Sequence, residues 1–253
     1  MKISIITATY NSASTIKDTI ESILGQTYTD FEHIIVDGLS KDNTLEIVKS
    51  YEDKYNGRLK IISEKDSGLY DAMNKGVKNA AGDVIGILNS DDVYADETVL
   101  EKIAEKFKET NCDATYGNLI YMDETMQKPV RFWKEKPNGE LEKGWQIAHP
   151  TLYLTKAAYQ KVGGYNLKYR IAADYDFVIR LMLDKDLKKE YIDYYLVHMR
   201  TGGTSTDGFK GYKKSLKDSY NVLKDNGLKH PKIINFRRVV KTIFNMVKPK
   251  RRV

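Results

Sequence analysis

The chain has 253 residues, of which 41% are hydrophobic and 30% are charged, a composition that excludes a disordered protein. A single cysteine excludes an internal disulfide and suits a reducing compartment, and no apolar run approaches the length of a membrane span. The formal net charge is +6, but residues 226–253 hold nine Lys or Arg and no acid. The remainder is therefore net negative, and a nucleic-acid partner is not indicated.

The first half of the chain alternates short apolar runs with amphipathic segments. Strands are predicted at residues 3–8, 31–36, 59–63 and 84–88, and a helix follows each of them, the last one starting near Asp96. The first strand follows Met1 almost directly, so no signal region is expected. Strand–helix alternation predicts right-handed crossovers and a mostly parallel sheet.

From about residue 111 this rhythm changes. Strands are predicted at 114–122, 129–133, 152–154 and 191–199, and helices at 156–162, from near Asp174, and at 209–225. We interpret the chain as a Rossmann-like α/β fold with a mixed second half. Residues 1–110 form the first half, residues 111–225 form the second half of the same domain, and residues 226–253 form a basic tail.

Polar residues follow each of the first four predicted strands, namely Thr9, Asp37, Asp66 and the pair Asp91 and Asp92. In open α/β sheets, ligands bind outside the carboxyl ends of the strands, so this pattern indicates a nucleotide site. No glycine-rich phosphate loop is present in the sequence. We therefore expect the phosphates to be held through a divalent cation, and paired carboxylates suit Mn²⁺ or Mg²⁺.

Five short motifs occur in the order and spacing of a known family. They are Thr9-Tyr10-Asn11, Val36-Asp37-Gly38-Leu39-Ser40-Lys41-Asp42-Asn43-Thr44, Asn89-Ser90-Asp91-Asp92, Gly163-Gly164-Tyr165 and Ala173-Asp174-Tyr175-Asp176. Together they resemble the family 2 glycosyltransferases, which have the GT-A fold, over residues 1–205. Residues 66–76 and 200–205 further resemble a bacterial subgroup that builds colanic-acid-like exopolysaccharide or O-antigen.

The sequence departs from the family pattern at three positions. Many members have a proline where Ala8 stands, a second Asp where Gly38 stands, and a Glu where Ala173 stands. The last departure leaves open whether Asp174 or Asp176 is the catalytic base.

The resemblance implies inverting transfer of a sugar from a nucleoside diphosphate, expected to be UDP, to an acceptor hydroxyl. Asp174 is then the general base, and Asp92 and Asp91 bind the metal, with His198 as a possible third ligand. The nucleotide-binding residues implied are Thr9, Tyr10, Asn11, Asp37, Asp66, Asp91 and Arg200. The acceptor-site residues implied are His149, Trp145 and Asp176.

Each of these residues also has a purely structural interpretation. The acids are equally common as caps of loops and helices, a strand histidine is more often structural, and aromatic residues such as Tyr70 and Trp145 are usually core. His33, inside a predicted strand, is interpreted as structural. Two other functions stay open: a sugar nucleotidyltransferase, whose Gly-rich, Arg-containing first loop is absent here, and a non-enzymatic adaptor that uses the tail.

The basic tail is amphipathic. On a helical wheel, residues 233–248 place apolar side chains on one side and cations on the other, and only Ile234 breaks the pattern. This pattern predicts a helix lying on an anionic membrane surface, at the inner face of the cytoplasmic membrane, which suits a lipid-linked or nascent glycan acceptor. The alternative is a helix packed on the enzyme with its cations outward.

Overall fold

The computed structural model describes residues 1–137, 139–202 and 208–247, and for residues 208–213 and 243–247 it describes the backbone alone. The strands are β1 (Ile3–Thr9), β2 (Phe31–Asp37), β3 (Leu59–Ser63), β4 (Val84–Ile87), β5 (Val93–Tyr94), β6 (Ala114–Met122), β7 (Pro129–Trp133), β8 (Tyr153–Thr155) and β9 (Lys189–Arg200). The helices are α1 (Ile16–Leu24), α2 (Thr44–Ser50), α3 (Glu52–Tyr55), α4 (Leu69–Asn79), α5 (Val99–Thr110), α6 (Lys156–Val162), α7 (Ala173–Leu183), α8 (Gly208–Asp225) and α9 (Pro231–Val247). Short 3-10 helices cover Leu141–Lys143 and His149–Thr151.

One sheet runs through both halves of the chain, with the order β3-β2-β1-β4-β8-β6-β9-β5 and with β7 paired to β6. The first four strands are mutually parallel. In the second half, β6 and β9 are parallel, whereas β8, β7 and β5 pair antiparallel with their neighbours. The predicted α/β fold with a parallel first half and a mixed second half is confirmed.

Helices cover both faces of the parallel strands, as their continuous apolar sequence requires. Every residue of β1 and β2 is buried. Along β1, Ile5 packs into the hydrophobic cluster that contains Ile20 of α1, whereas the next residue, Ile6, packs into the cluster that contains Met73 of α4. The alternation of side chains along a strand thus places α1 and α4 on opposite faces.

The largest difference from the predicted elements lies after β4. We expected a helix to start near Asp96, but the chain first forms β5, which pairs with β9, and α5 begins only at Val99. The carboxylate of Asp96 accepts hydrogen bonds from the backbone N–H of Thr98 (2.8 Å) and from the side-chain hydroxyl of Thr98 (2.7 Å). These bonds stabilise a turn over residues 96–98 in place of a first helical turn.

Helix α9 packs on the enzyme through the side that carries Ile234. Ile234, the one residue that broke the amphipathic pattern, is 2% exposed and belongs to the core. Asn235 donates to the carbonyl of Leu216 (2.9 Å), and Arg237 donates to the carbonyl of Glu142 (3.0 Å). The opposite, apolar side is uncovered, with Ile233 48% and Phe236 68% exposed. The helix therefore contacts the enzyme, whereas its cations Lys232, Arg237 and Lys241 remain exposed.

No helix in the described part of the chain is both long enough and apolar enough to cross a membrane.

Candidate active site

A crevice forms where β1, β2 and β4 end side by side. Thr9 pairs with Asp37 across β1 and β2, and its carbonyl accepts the N–H of Gly38 (2.9 Å). The hydroxyls of Ser12 and Ser90 lie 3.0 Å apart and join the loop after β1 to the loop after β4. The parallel register thus brings the predicted nucleotide residues to one edge of the sheet.

The three residues at the end of β1 differ in how accessible their side chains are. Tyr10 is 55% exposed and its ring is free to stack on a planar group. Asn11 instead supports the loop, because its side-chain oxygen accepts the N–H of Lys41 (2.8 Å). The hydroxyl of Thr9 is buried and has no hydrogen-bond partner among the described residues, so it is available to a ligand.

Asp37 and Asp66 differ in their availability. Asp37 is fully buried and accepts hydrogen bonds from the backbone N–H of Ser40 (3.2 Å) and the hydroxyl of Ser63 (2.8 Å), so in this structure it caps its own loop. Asp66 lies partly exposed beside it, directly over Gly38, where an added Cβ would overlap the Asp66 carboxylate. A side chain at position 38 would therefore displace Asp66, which occupies the space that a second Asp would take in other family members.

The pair after β4 is also unequal. Asp92 is fully buried and accepts hydrogen bonds from the Asn89 side-chain amide (2.9 Å) and the backbone N–H of Arg200 (3.2 Å). Burial, reinforced by the neighbouring Asp91 charge, raises the pKa of Asp92. Asp91 is partly exposed and its pKa is also raised by burial. Of the two carboxylates predicted to bind a metal, Asp91 is therefore the more exposed.

The residues after β4 suit a metal ion whose ligands come mostly from phosphate and water. In the part of the chain that the structure describes, no three His, Cys, Asp or Glu residues are grouped to hold a metal, so Asp91, Asp92 and His198 do not form the expected set. His198 lies on β9 opposite Val93, within electrostatic range of Asp96. A Mn²⁺ or Mg²⁺ ion on a diphosphate needs only one or two carboxylates, because phosphate and water complete its shell. The buried side-chain oxygen of Asn89 has no hydrogen-bond partner among the described residues, and this residue lies in the same loop as the two acids.

Arg200 lies against the same loop. Its Nε donates to the carbonyl of Asp91 (3.3 Å), and its guanidinium pairs with Asp18 of α1 (2.6 Å) and donates to the carbonyl of Glu124. These contacts place the positive charge beside Asp91, as a diphosphate-binding arginine requires. The predicted motif that starts at Arg200 continues into residues 203–205, which lie outside the described residues.

Asp174 occupies the first turn of α7. The N-cap of this helix is Ala172, so Asp174 is not the cap. One oxygen, Oδ1, accepts hydrogen bonds from the hydroxyl of Tyr70 (3.0 Å) and from the N–H of Tyr175 (2.8 Å). The second oxygen, Oδ2, has no hydrogen bond to any described residue. The Tyr70 hydroxyl, which also lies 3.0 Å from the carbonyl oxygen of Ile171, contacts only Oδ1 of this carboxylate.

His149 lies close to this carboxylate. Its Nε2 is 2.7 Å from the hydroxyl of Tyr165, and that ring stacks on Tyr70, with centroids 5.8 Å apart. Burial lowers the pKa of His149, and the charge of Asp174 opposes that shift. The structure therefore brings the predicted acceptor residue His149 to the predicted base.

The Gly163-Gly164-Tyr165 motif joins α4 to this region. Asn74 of α4 accepts the N–H of Tyr165 (2.7 Å) and donates to its carbonyl (2.9 Å). An added Cβ on Gly164 would lie 2.6 Å from the Asn74 oxygen, so glycine is needed for this close approach. Sequence reasoning missed Asn74, although it belongs to the subgroup-like stretch 66–76.

The other two predicted acceptor residues are structural in this fold. Asp176 is 2% exposed, pairs with Arg180 (2.8 Å) and accepts from Asn226 (2.9 Å). Trp145 is 1% exposed and donates its indole N–H to Glu135 (2.9 Å), so it presents no face to a sugar. Both side chains are consumed by internal contacts, which the sequence could not reveal.

A tyrosine that sequence reasoning did not single out links the two acidic centres. Burial raises the pKa of Tyr121, and the charges of both Asp92 and Asp174 add to this effect. The Tyr121 hydroxyl thus lies within electrostatic range of both carboxylates.

The family follows from comparison with known proteins. The sequence profile described as glycosyl transferase family 2 matches residues 4–188. The chain belongs to glycosyltransferase family 2. It is therefore an enzyme of glycosyl transfer, and this membership favours that activity over the nucleotidyltransferase and adaptor alternatives.

Named relatives agree with this assignment. A Mycobacterium tuberculosis protein named PGL/p-HBAD biosynthesis glycosyltransferase is 33% identical over 190 residues, which cover 75% of this chain and 73% of the relative. The Bacillus subtilis protein named EpsE is 29% identical over 213 residues, which cover 83% of this chain and 69% of the relative.

Solved structures share the fold. S. aureus TarS superposes with a TM-score of 0.71 at 21% identity, covering 94% of this chain and 43% of TarS, so the chain spans less than half of that protein. The TarS 1-349 fragment in complex with UDP-GlcNAc gives a TM-score of 0.71, also at 21% identity, over 94% of this chain and 72% of the fragment. The mannosyltransferase PcManGT from Pyrobaculum calidifontis, in complex with GDP-Man and Mn²⁺, gives 0.69 at 15% identity, over 94% of this chain and 69% of PcManGT.

Proposed function

We propose that this enzyme transfers a sugar from a nucleoside diphosphate to an acceptor hydroxyl with inversion, using Asp174 as general base. The observation that carries the proposal is the asymmetry of the Asp174 carboxylate. Tyr70 and the Tyr175 N–H hold Oδ1, and Oδ2 is left to accept a proton. As the acceptor oxygen attacks the anomeric carbon, its proton passes to Oδ2 and the bond from that carbon to the diphosphate breaks.

The donor site of this proposal is the crevice at the carboxyl ends of β1, β2 and β4, within the half formed by residues 1–110. The proposed nucleoside contacts are the Tyr10 ring, the Thr9 hydroxyl and the Asp66 carboxylate, and Arg200, which donates to the carbonyl of Asp91, is the proposed diphosphate contact. UDP is the proposed nucleotide, a choice supported by the TarS structures with UDP-GlcNAc and UDP. The GDP-Man complex of PcManGT makes GDP the alternative to test.

Asp91 would hold Mn²⁺ or Mg²⁺ on the donor diphosphate, and the side-chain oxygen of Asn89, from the same loop, is a second proposed oxygen ligand. The bound cation supplies positive charge to the departing diphosphate. Asp92 has a different task in this proposal, because its hydrogen bonds to Asn89 and to the Arg200 backbone fix the loop that carries Asp91.

The proposed acceptor is a lipid-linked or nascent bacterial surface glycan that enters past His149, in the half formed by residues 111–225. The basic tail, residues 226–253, supports an encounter with an anionic membrane at its cytoplasmic face. The apolar side of α9, with Ile233 and Phe236 exposed, is suited to insert between lipid headgroups. Vesicle cosedimentation of the full chain tests this part, because Phe236→Ser should weaken binding to anionic vesicles if the helix inserts.

Calorimetric titration of UDP and GDP, with and without Mn²⁺, tests the donor site. Wild type should bind one nucleotide in a metal-dependent way, and Asp91→Ala should weaken that binding because it removes the accessible carboxylate. Asp30→Ala is the matched control, since Asp30 pairs with the chain N-terminus, outside the residues of the crevice. If neither nucleotide binds to wild type, the proposed donor site is wrong. If Asp91→Ala binds as wild type does, the metal assignment is wrong.

A further inference from the structure

A small pocket with three cationic side chains lies between α9 and β7. It is lined by Arg131, Trp133, Gln146, Arg238, Lys241 and Thr242, and we call it the cationic pocket. In the described part of the chain, none of its three cations forms a salt bridge with a carboxylate. Three unpaired positive charges around one cavity are electrostatically unfavourable unless an anion compensates them.

The arginines of the cationic pocket are held in place by other contacts. The guanidinium of Arg238 donates to the hydroxyl of Ser219 (2.8 Å), and that of Arg131 lies 3.8 Å from the centroid of the Tyr121 ring. The Nε of Arg238 is buried, and no described residue accepts its hydrogen bond. A buried donor without an acceptor costs free energy, so this atom indicates a missing oxygen ligand.

The cationic pocket borders the proposed acceptor side by two routes. Arg238 lies 4.8 Å from the centroid of the Tyr175 ring, and Tyr175 directly follows Asp174. Arg131 stacks on Tyr121, whose hydroxyl lies within electrostatic range of Asp174. The cationic pocket therefore adjoins α7, the helix that carries the proposed base in its first turn.

One acidic side chain lies near the cationic pocket, and its negative charge would oppose the binding of an anion there. Glu135 is 5% exposed and within electrostatic range of Lys241. Burial raises the pKa of Glu135 to about 7, and the Lys241 charge opposes that shift. Glu135 is therefore partly protonated near neutral pH and offsets less than one of the three positive charges.

We propose that the cationic pocket binds the phosphate or diphosphate group of a lipid-linked acceptor, an inference that rests on the proposed function. The charges of the pocket match this group, and α9 supplies two of the three pocket cations as well as an exposed apolar side formed by Ile233 and Phe236. The same helix can thus touch the lipid chains while its inner side holds the phosphate. The glycan end of the acceptor then extends toward Asp174.

Cosedimentation of the full chain with two kinds of phosphatidylcholine vesicles tests the proposal. One kind carries a polyprenyl diphosphate and the other carries phosphatidylglycerol at the same surface charge. Wild type should prefer the diphosphate vesicles, and Lys241→Gln or Arg131→Gln should each weaken that binding roughly fivefold. Lys232→Gln, which removes an exposed α9 cation outside the pocket, should keep the preference. Equal binding to both vesicles, or the same effect from Lys232→Gln and Lys241→Gln, would overturn the proposal.

Two further experiments distinguish a lipid diphosphate from a free anion, and the pocket proposal from the donor-site proposal. In the first experiment, inorganic pyrophosphate is added to the diphosphate vesicles while UDP saturates the donor site. If pyrophosphate displaces the protein at a concentration equal to that of the lipid diphosphate, the pocket binds a free anion and the proposal of a lipid ligand is wrong. Titration of UDP into Lys241→Gln should give the wild-type affinity. If wild type fails to bind UDP but still prefers diphosphate vesicles in a Lys241-dependent way, the donor proposal fails and the pocket stands.

Discussion

Asp174 and Asp176 lie two residues apart, and the structure predicts opposite consequences for their removal. The Asp176 carboxylate is 2% exposed and pairs with Arg180, whose side chain is 25% exposed. It also accepts a hydrogen bond from Asn226, which fixes the end of α8 to α7. Asp174 is partly exposed and leaves one oxygen without a hydrogen bond to the described residues.

Asp176→Ala removes one partner of a buried ion pair. Such a loss costs 3–5 kcal/mol where the remaining charge is left without compensation. Arg180 keeps hydrogen bonds to the carbonyls of Val162 and Gly164 (2.7 Å for the latter), so we expect the lower end, about 3 kcal/mol. For a chain of this size, that loss lowers the melting temperature by roughly 6–12 °C, measurable by differential scanning calorimetry.

Asp174→Ala is the matched variant. We expect its melting temperature to fall less than that of Asp176→Ala, because Asp174 is partly exposed and Tyr70 can donate to the carbonyl of Ile171 instead. Its turnover should fall roughly 10²–10⁴-fold, the usual contribution of a general base. If Asp176→Ala melts like wild type and loses turnover while Asp174→Ala retains it, the roles we assign to the two acids are reversed.

Three other predictions follow from single contacts. Tyr70→Phe should lower kcat roughly tenfold with little change in the donor KM, because it removes the hydrogen bond that orients Asp174; steady-state kinetics measures this. Gly38→Ala should weaken nucleotide binding in calorimetry, because its Cβ displaces Asp66, and unchanged affinity would exclude Asp66 from the donor site. Burial lowers the pKa of His33 to about 3, so the unfolded chain takes up a proton on His33 at a higher pH than the folded chain does. The free energy of unfolding, measured by urea denaturation, should therefore fall by roughly 5 kcal/mol as the pH drops from 6.5 to 3. His33→Gln should lack this contribution to the pH dependence.

The parallel half of the fold was predictable because each signal there is local. Continuous apolar runs are typical of buried parallel strands, and the predicted strands agree with β1 to β4 within one residue at each end. Two residues of β5 escaped prediction because a strand that short has no pattern of its own and depends on pairing with β9. A strand that forms only by pairing with a distant segment has no periodic hydrophobic pattern in its own sequence.

The division of roles within the site was predictable only in part, for the same reason. Asp91 and Asp92 are equivalent in sequence, and they differ because the backbone N–H of Arg200, 108 residues away, binds and encloses Asp92. The hydrogen bond from Tyr70 to Asp174 spans 104 residues. On the helical wheel, Ile234 was the exception, yet that side of α9 is the one that packs on the enzyme.

The stretch 66–76 explains how the two halves of the enzyme hold one geometry. Asp66 lies over Gly38 at the proposed nucleoside position, and four residues later Tyr70 binds the proposed base. One turn further along α4, Asn74 holds the backbone of Tyr165, whose hydroxyl contacts His149. The loop before α4 and the first two turns of α4 therefore contact the donor side, the proposed base and the acceptor side in order. Because a helix is rigid over this length, the spacing between the contact to the base and the contact to the acceptor side is set by α4.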